Sequence, residues 1–267
     1  MKRMLLLAVV LCLFAACNRA PKETNAFSVN TITVEDSVQF PSEMLEEWMF
    51  NDMAQYLAVV DVPVTENEDL RDNIINWISG LLSENYDGDS QDVEAMVDFD
   101  KKEFLSLETG SPGSSVQTFV KLEENNDRYV SYCSEGWIFM GGAHGTSTKE
   151  GATFSKTTGD RFTYKMFKDP DALTELIKVS LAKQYFNPLL EGSEVSFEQA
   201  IYSELVESFP LSEEEPWIRN DSVFFIYGEY EIAAHAFGIP ECGIPYEKLK
   251  DDLTDEGKAF FEPVAKQ

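Results

Sequence analysis

The residues best placed to do chemistry lie in a glycine-dense corner, Gly141-Gly142-Ala143-His144-Gly145-Thr146, which holds one of the chain's two histidines. An imidazole there can serve as a general base or a ligand, because it gains and loses its proton near neutral pH. A base needs a nucleophile and an orienting acid within hydrogen-bond reach, and those can come from anywhere in a fold. The chain has no Gly-x-Ser-x-Gly nucleophile elbow. The favoured reading is therefore a histidine that bonds the adjacent strand and fixes a tight turn. Gly141, Gly142 and Gly145 supply backbone freedom or close approach that residues with a Cβ lack. Tyr227 and Tyr230, with Trp137 and Phe139, are candidates to line a groove for a sugar or peptide. Aromatics at alternate strand positions also build cores, so only one face is eligible. The candidate ligand-binding set is Gly141, Gly142, His144, Gly145, Tyr227 and Tyr230, and no catalytic residue is assigned.

The remaining polar clusters read as ordinary structure. Asp87-Gly88-Asp89 with Asp92 and Glu94 is similar to a calcium loop, but that loop needs its glycine at the sixth position. Here glycine falls between two acids, which fits a turn followed by a helix cap. Asp98, Asp100 and Glu103, like Glu213-Glu214-Glu215, could pair as acid and base. In a chain with 48 acidic residues, surface acids are the ordinary case. Cys133 and Cys242 could form a disulfide in an oxidising compartment, or pack as two buried thiols. Spacing does not choose between them. Neither has a second Cys or His at ligand spacing, so no metal or other cofactor is expected.

The first residues give an address. Lys2 and Arg3 precede an apolar run, Met4 to Phe14, that is too short to span a bilayer. Ala15-Ala16-Cys17 then resembles a bacterial lipoprotein cleavage box. The expectation is a signal peptide over 1–16, lipid on Cys17 and a polar tether over 17–26. That places the chain in the cell envelope, periplasmic or at the cell surface, held to the membrane by acyl chains. A plain signal peptide with a bystander cysteine is the alternative. The formal net charge is -27. Such a body repels nucleic acid, and it attracts cations or a basic protein. A hydrophobic content of 43% with 19 Phe supports a real core.

The elements that must position the corner follow in order. Phe27 to Val38 alternates as a first strand, and a short helical run follows over Met44, Leu45, Trp48 and Met49. Tyr56 to Val64 is a second strand. Thr65 and Glu68 form a capping box opening a helix to Leu82, with Leu70, Ile74, Trp77, Ile78 and Leu81 on one stripe. Ser90 to Phe104 is a second helix. Gly110-Ser111-Pro112-Gly113-Ser114 marks the boundary between an N-terminal segment, 27–110, and a C-terminal domain, 111–267. After it, alternation predicts an antiparallel meander through Val116–Leu122, Tyr129–Met140 and the strand beyond the corner. Asp169-Pro170 starts a helix that Asn187-Pro188 ends. Ser196 and Gln199 cap a helix that Pro210 closes, and Ser222 to Ala234 is a last long strand. The expected class is α+β, an antiparallel sheet with helices on one face after a smaller strand–helix segment.

This order of landmarks resembles one family. Gly141-Gly142-Ala143-His144-Gly145, Thr158-Gly159-Asp160 and Met166-Phe167-Lys168-Asp169 carry the likeness. So do Val223-Phe224-Phe225-Ile226-Tyr227-Gly228-Glu229-Tyr230-Glu231-Ile232-Ala233, Gly238-Ile239-Pro240-Glu241 and Ile244-Pro245-Tyr246. The chain is similar over about 150 C-terminal residues to the RsiV-like extracytoplasmic domain, also found at the C-terminus of the peptidoglycan deacetylase PdaC. The resemblance implies an α+β envelope domain that binds rather than catalyses, with a basic protein such as lysozyme, or peptidoglycan fragments, as the partner class. Members commonly carry a proline–tyrosine pair near Ala234-His235, and this chain does not, so His235 is not expected to act. The alternatives are an envelope hydrolase using His144 and an accessory subunit of an envelope complex.

Overall fold

The computed structural model describes residues 26–45, 51–82, 85–106 and 111–262. The expected signal peptide, 1–16, and the tether from Cys17 to Asn25 lie outside the described residues, as do Trp48 and Met49. The fold is α+β, with one sheet of five strands and one of three. β1 (Phe27–Gln39) and β2 (Met53–Thr65) pair antiparallel in continuous register, from Phe27 opposite Thr65 to Gln39 opposite Met53. β3 (Ser115–Asn125) runs parallel to β2, while β4 (Tyr129–Phe139) and β5 (Thr146–Ser155) return antiparallel.

The predicted antiparallel meander is present as β3–β4–β5, and the parallel β2–β3 pair joins it to the β1–β2 hairpin in one mixed sheet. Parallel neighbours need a crossover of a dozen residues or more. α1 (Glu68–Leu81) and α2 (Val93–Phe104) supply it between β2 and β3. The glycine–proline break after α2 is where the chain rejoins the sheet. Gly113 N donates to Met53 O and Gln55 N to Ser114 O, each at 3.0 Å. The sequence boundary near residue 110 therefore falls inside one sheet. The cap of α1 also differs. Asn67 Oδ1 accepts from Leu70 N at 3.2 Å, and Thr65 Oγ1 accepts from Asn67 N. Thr65 is still paired with Phe27, so the helix starts two residues later than a Thr65 cap would place it.

α1 buries Leu70, Ile74, Ile75, Trp77 and Ile78, and α2 buries Val93, Met96 and Val97. Both pack on Tyr56, Ala58, Val60, Val120, Tyr132 and Phe154 of the sheet. Each fully buried aliphatic side chain contributes about 1.5–3 kcal/mol. A second core is rich in phenylalanine, including Phe162, Phe167, Phe186 and Phe225. It lies between α3 (Pro170–Leu181) and the sheet of β6 (Trp217–Arg219), β7 (Ser222–Ile226) and β8 (Glu241–Pro245). Asp169 caps α3 by accepting from Ala172 N at 3.0 Å, with Pro170 in its first turn as expected.

Three expectations in this half need correction. Asn187-Pro188 does not end the α3 run. A π-turn over Ala182–Phe186 carries it on, and Pro188 opens a fresh helical turn, where its missing N–H costs nothing. The capping box of Ser196 and Gln199 is present, but the helix is one turn, Phe197–Ala200, because Ile201 leaves to pair with Ala233. The strand expected over Ser222–Ala234 stops at Ile226, where Gly228 N donates to Glu231 Oε2 and Tyr230, at φ 66°, reverses the chain.

β6 joins the two halves. Trp217 is fully buried and lies so close to Gly151 that any Cβ there would enter its ring. Ile218 N donates to Thr153 Oγ1 of β5 at 2.7 Å. Cys133 and Cys242 are free thiols, which removes the disulfide alternative. Cys133 packs with Trp217 and Ile226, and Cys242 sits in the phenylalanine core with its Sγ directed at Ile177 O. Burial pushes both thiols up to about 12. Asn125 Nδ2 donates to Phe27 O, so β4 starts at the Phe27 end of the sheet and ends at the glycine corner.

Candidate functional site

The corner between β4 and β5 uses its glycines in two ways. Gly141 and Gly142 stand at φ 95° and 96° with open space around them, so they serve the backbone turn, which L side chains resist. Gly145 has another role. A Cβ there would strike the Trp137 ring and come within 2.7 Å of Ile138 O. Its missing side chain lets the indole lie against the backbone.

His144 is exposed, and its Nδ1 is 2.9 Å from Gly145 O. A carbonyl only accepts, so this nitrogen carries a hydrogen. The chain's second histidine meets it: the rings of His144 and His235 stack with centroids 4.0 Å apart and planes 20° apart. His235 Nδ1 is 3.0 Å from Glu229 Oε2. The Glu229 side chain is only 5% exposed, and its Oε1 accepts from Ser147 N on β5 at 3.1 Å. A buried carboxylate thus orients His235 and ties the β7–β8 connection to the corner. Tyr230 stacks on His235 in turn, at 5.5 Å and 19°. The result is a row of rings, Tyr230, His235 and His144, continued across Gly145 by Trp137.

This row is open to solvent. Trp137 and Tyr230 are 38% and 51% exposed. In most folds such side chains are covered. Chemically, the corner offers an oriented imidazole and an apolar surface. Among the described residues, the partners of the two Nδ1 atoms are a carbonyl and a carboxylate, and no hydroxyl bonds either ring.

The structure brings together Gly141, Gly142, His144, Gly145 and Tyr230 of the expected set. It does not bring Tyr227, which is fully buried, donates its hydroxyl to Pro210 O at 2.9 Å and packs against Phe209. Sequence reasoning missed Glu229 and His235. In an unbroken strand those two lie about 20 Å apart. The turn at Tyr230 is what lets them meet, and the run Gly228-Glu229-Tyr230-Glu231 was its available signal.

The other candidates resolve into structural roles. Asp92 caps α2, and Asp89 Oδ1 accepts from Gln91 N. Asp98 pairs with Lys101 at 2.9 Å, and Asp100 accepts from the Tyr56 hydroxyl at 3.0 Å. Among the described residues no group of three or more His, Cys, Asp or Glu side chains could hold a metal ion. One charged cluster is unusual. Glu214, on the loop before β6, meets Glu150 of β5, and burial and that second carboxyl push Glu214 up to about 7. Trp77 Nε1 donates to Glu150 Oε2 at 3.3 Å, and the half-buried Arg161 sends Nη2 to Gly151 O at 3.1 Å.

No protein-family model and no curated protein matches this chain. Solved structures do. A member of the DUF3298 family from Bacteroides fragilis matches with a TM-score of 0.62 at 17% identity, over 91% of this chain and 99% of its own. A DUF3298 family protein from Pseudomonas aeruginosa matches with a TM-score of 0.56 at 18% identity, over 87% of this chain and 96% of its own. DUF3298 is a domain family related to the C-terminal domain of RsiV and PdaC. At these identities the likeness establishes a common fold.

Proposed function

We propose that this chain is a binding protein of the cell envelope, anchored by lipid on Cys17, with the ring-lined corner as its docking surface. The observation that carries the proposal is the exposed row from Tyr230 to Trp137 on a body of charge -27. Aromatic side chains clustered in the open are the composition of protein docking centres. The surrounding negative charge favours a basic partner and raises its association rate, an effect that salt weakens. Lysozyme is the protein partner of this kind to test first, and a cell-wall fragment is the other member of the class. The test is capture of a cationic lysozyme on the immobilised full chain across a salt series. Binding that weakens with salt and falls at least tenfold in Trp137→Ala or Tyr230→Ala supports the proposal. Absence of binding at low salt removes that partner.

A second reading, an envelope hydrolase, draws on the Glu229–His235 pair, which has the orientation of a carboxylate-held base. Turnover of some ester or amide substrate that disappears in both His144→Ala and His235→Ala, with folding intact, would favour it.

A further inference from the structure

A second concave region shares no residue with the corner. A cleft of about 1080 Å3 opens between α1, the turn after β5 and the C-terminal helical turn Asp255–Lys258. That volume suits a small-molecule ligand of several rings. Arg161 lines it, with its guanidinium carbon 6.0 Å from the Trp77 ring centroid. The Arg161 Nε is enclosed and has no hydrogen-bond partner. Glu150, Glu215 and Glu214 all act on Arg161, yet burial still holds the guanidinium below its ordinary range. Glu150 accepts from Trp77, and Glu215 Oε2 accepts from Tyr164 N at 2.8 Å. Glu214 holds its proton up to about pH 7. The guanidinium charge is therefore poorly solvated and only partly compensated, which favours a carboxylate arriving from outside.

The other walls say what the carboxylate is attached to. Asn73, Asn76, Ser155, Thr157 and Thr158 present amides and hydroxyls, a lining suited to a polyhydroxyl body. Arg128 and Lys165 add two cations, while Asp127, Asp160, Glu256 and Glu262 sit among them. Those acids repel a polyanion but tolerate a single carboxylate in an otherwise neutral molecule. We propose that this cleft binds an oligosaccharide bearing a carboxylate, which Arg161 receives.

The test is titration calorimetry of the full chain in detergent with two tetrasaccharides on one β-1,4-linked N-acetylhexosamine backbone. One carries a single lactyl carboxylate, on one muramic acid residue, and the other, N-acetylchitotetraose, carries none. The carboxylated sugar binds about tenfold more tightly, the increment of one charge-assisted contact. Arg161→Gln brings the two sugars to parity. Thr157→Glu, an exposed change that leaves the guanidinium untouched, weakens the carboxylated sugar selectively and covers the case in which the Arg161 variant does not fold. Parity in the unmodified chain, no binding of either sugar, or a preference that survives both substitutions overturns the proposal. None of these outcomes bears on the corner, whose partner is tested separately.

Discussion

The corner and the junction at β6 draw on similar side chains and put them to opposite uses. Each has an indole, a carboxylate and a basic side chain in one cluster. At the corner the rings face water and a single buried acid, Glu229, holds them in order. At the junction Trp217 is fully buried, and Glu150, Glu214 and Arg161 lie half-buried near it. The difference teaches that composition does not separate a docking surface from a structural seam; solvent access does. Stability should therefore answer to the junction, and binding to the corner.

The largest expected effect tests the junction. Trp217→Ala should cost about 4 kcal/mol, the usual loss for a fully buried large aromatic, read from the urea midpoint. A loss below about 1 kcal/mol would mean the halves are held together elsewhere. Next comes Gly145→Ala, which forces a methyl into Trp137. It should destabilise by about 2 kcal/mol by overpacking and shift the indole fluorescence. Gly142→Ala, in open space, meets only backbone strain of about 1 kcal/mol. Equal costs for the two glycines would erase the distinction drawn between them.

The pH dependence of stability sharpens the comparison further. Glu214 is pushed up to about 7 in the folded chain, against about 4.3 for an unperturbed glutamate. Between those values the folded state binds more protons than the unfolded one. Its contribution is complete below about pH 4.3 and is lost as pH rises through 7. Glu214→Gln should flatten that slope and leave the variant more stable than the parent at pH 8 by roughly 1–2 kcal/mol, after allowance for partial solvation. Parallel denaturation profiles for the two proteins would sink the shared-proton pair. Tyr230→Ala gives the smallest stability change, within about 0.5 kcal/mol as for an exposed site, while it weakens partner capture. A large loss of stability there would make the row of rings part of the core.

The sequence disclosed the local features more fully than the long-range ones. The Asp169 cap, the Ser196–Gln199 box and the stripe of α1 are legible because each is set by residues three or four apart. The parallel pairing of β2 with β3 is not, since alternation along a strand is the same whichever neighbour it meets. For the site, glycines at φ 95° and 96° betray a corner by their type alone. The partnership of His144 with His235 spans 91 residues of chain and depends on a turn at Tyr230, a residue type that rarely adopts φ 66°. Tyr227 and Tyr230, three positions apart, went to the core and to water for the same reason.

If lipid on Cys17 anchors the chain as proposed, the direction of β4 sets the posture of the body at the bilayer. Its 11 residues lead from the Phe27 end to the corner, a span of about 35 Å. With acyl chains on Cys17 as proposed, nine residues of leash would fasten the Phe27 end near the headgroups, and the row of rings would become the summit of the molecule, lifted clear of the lipid where a passing protein could reach it.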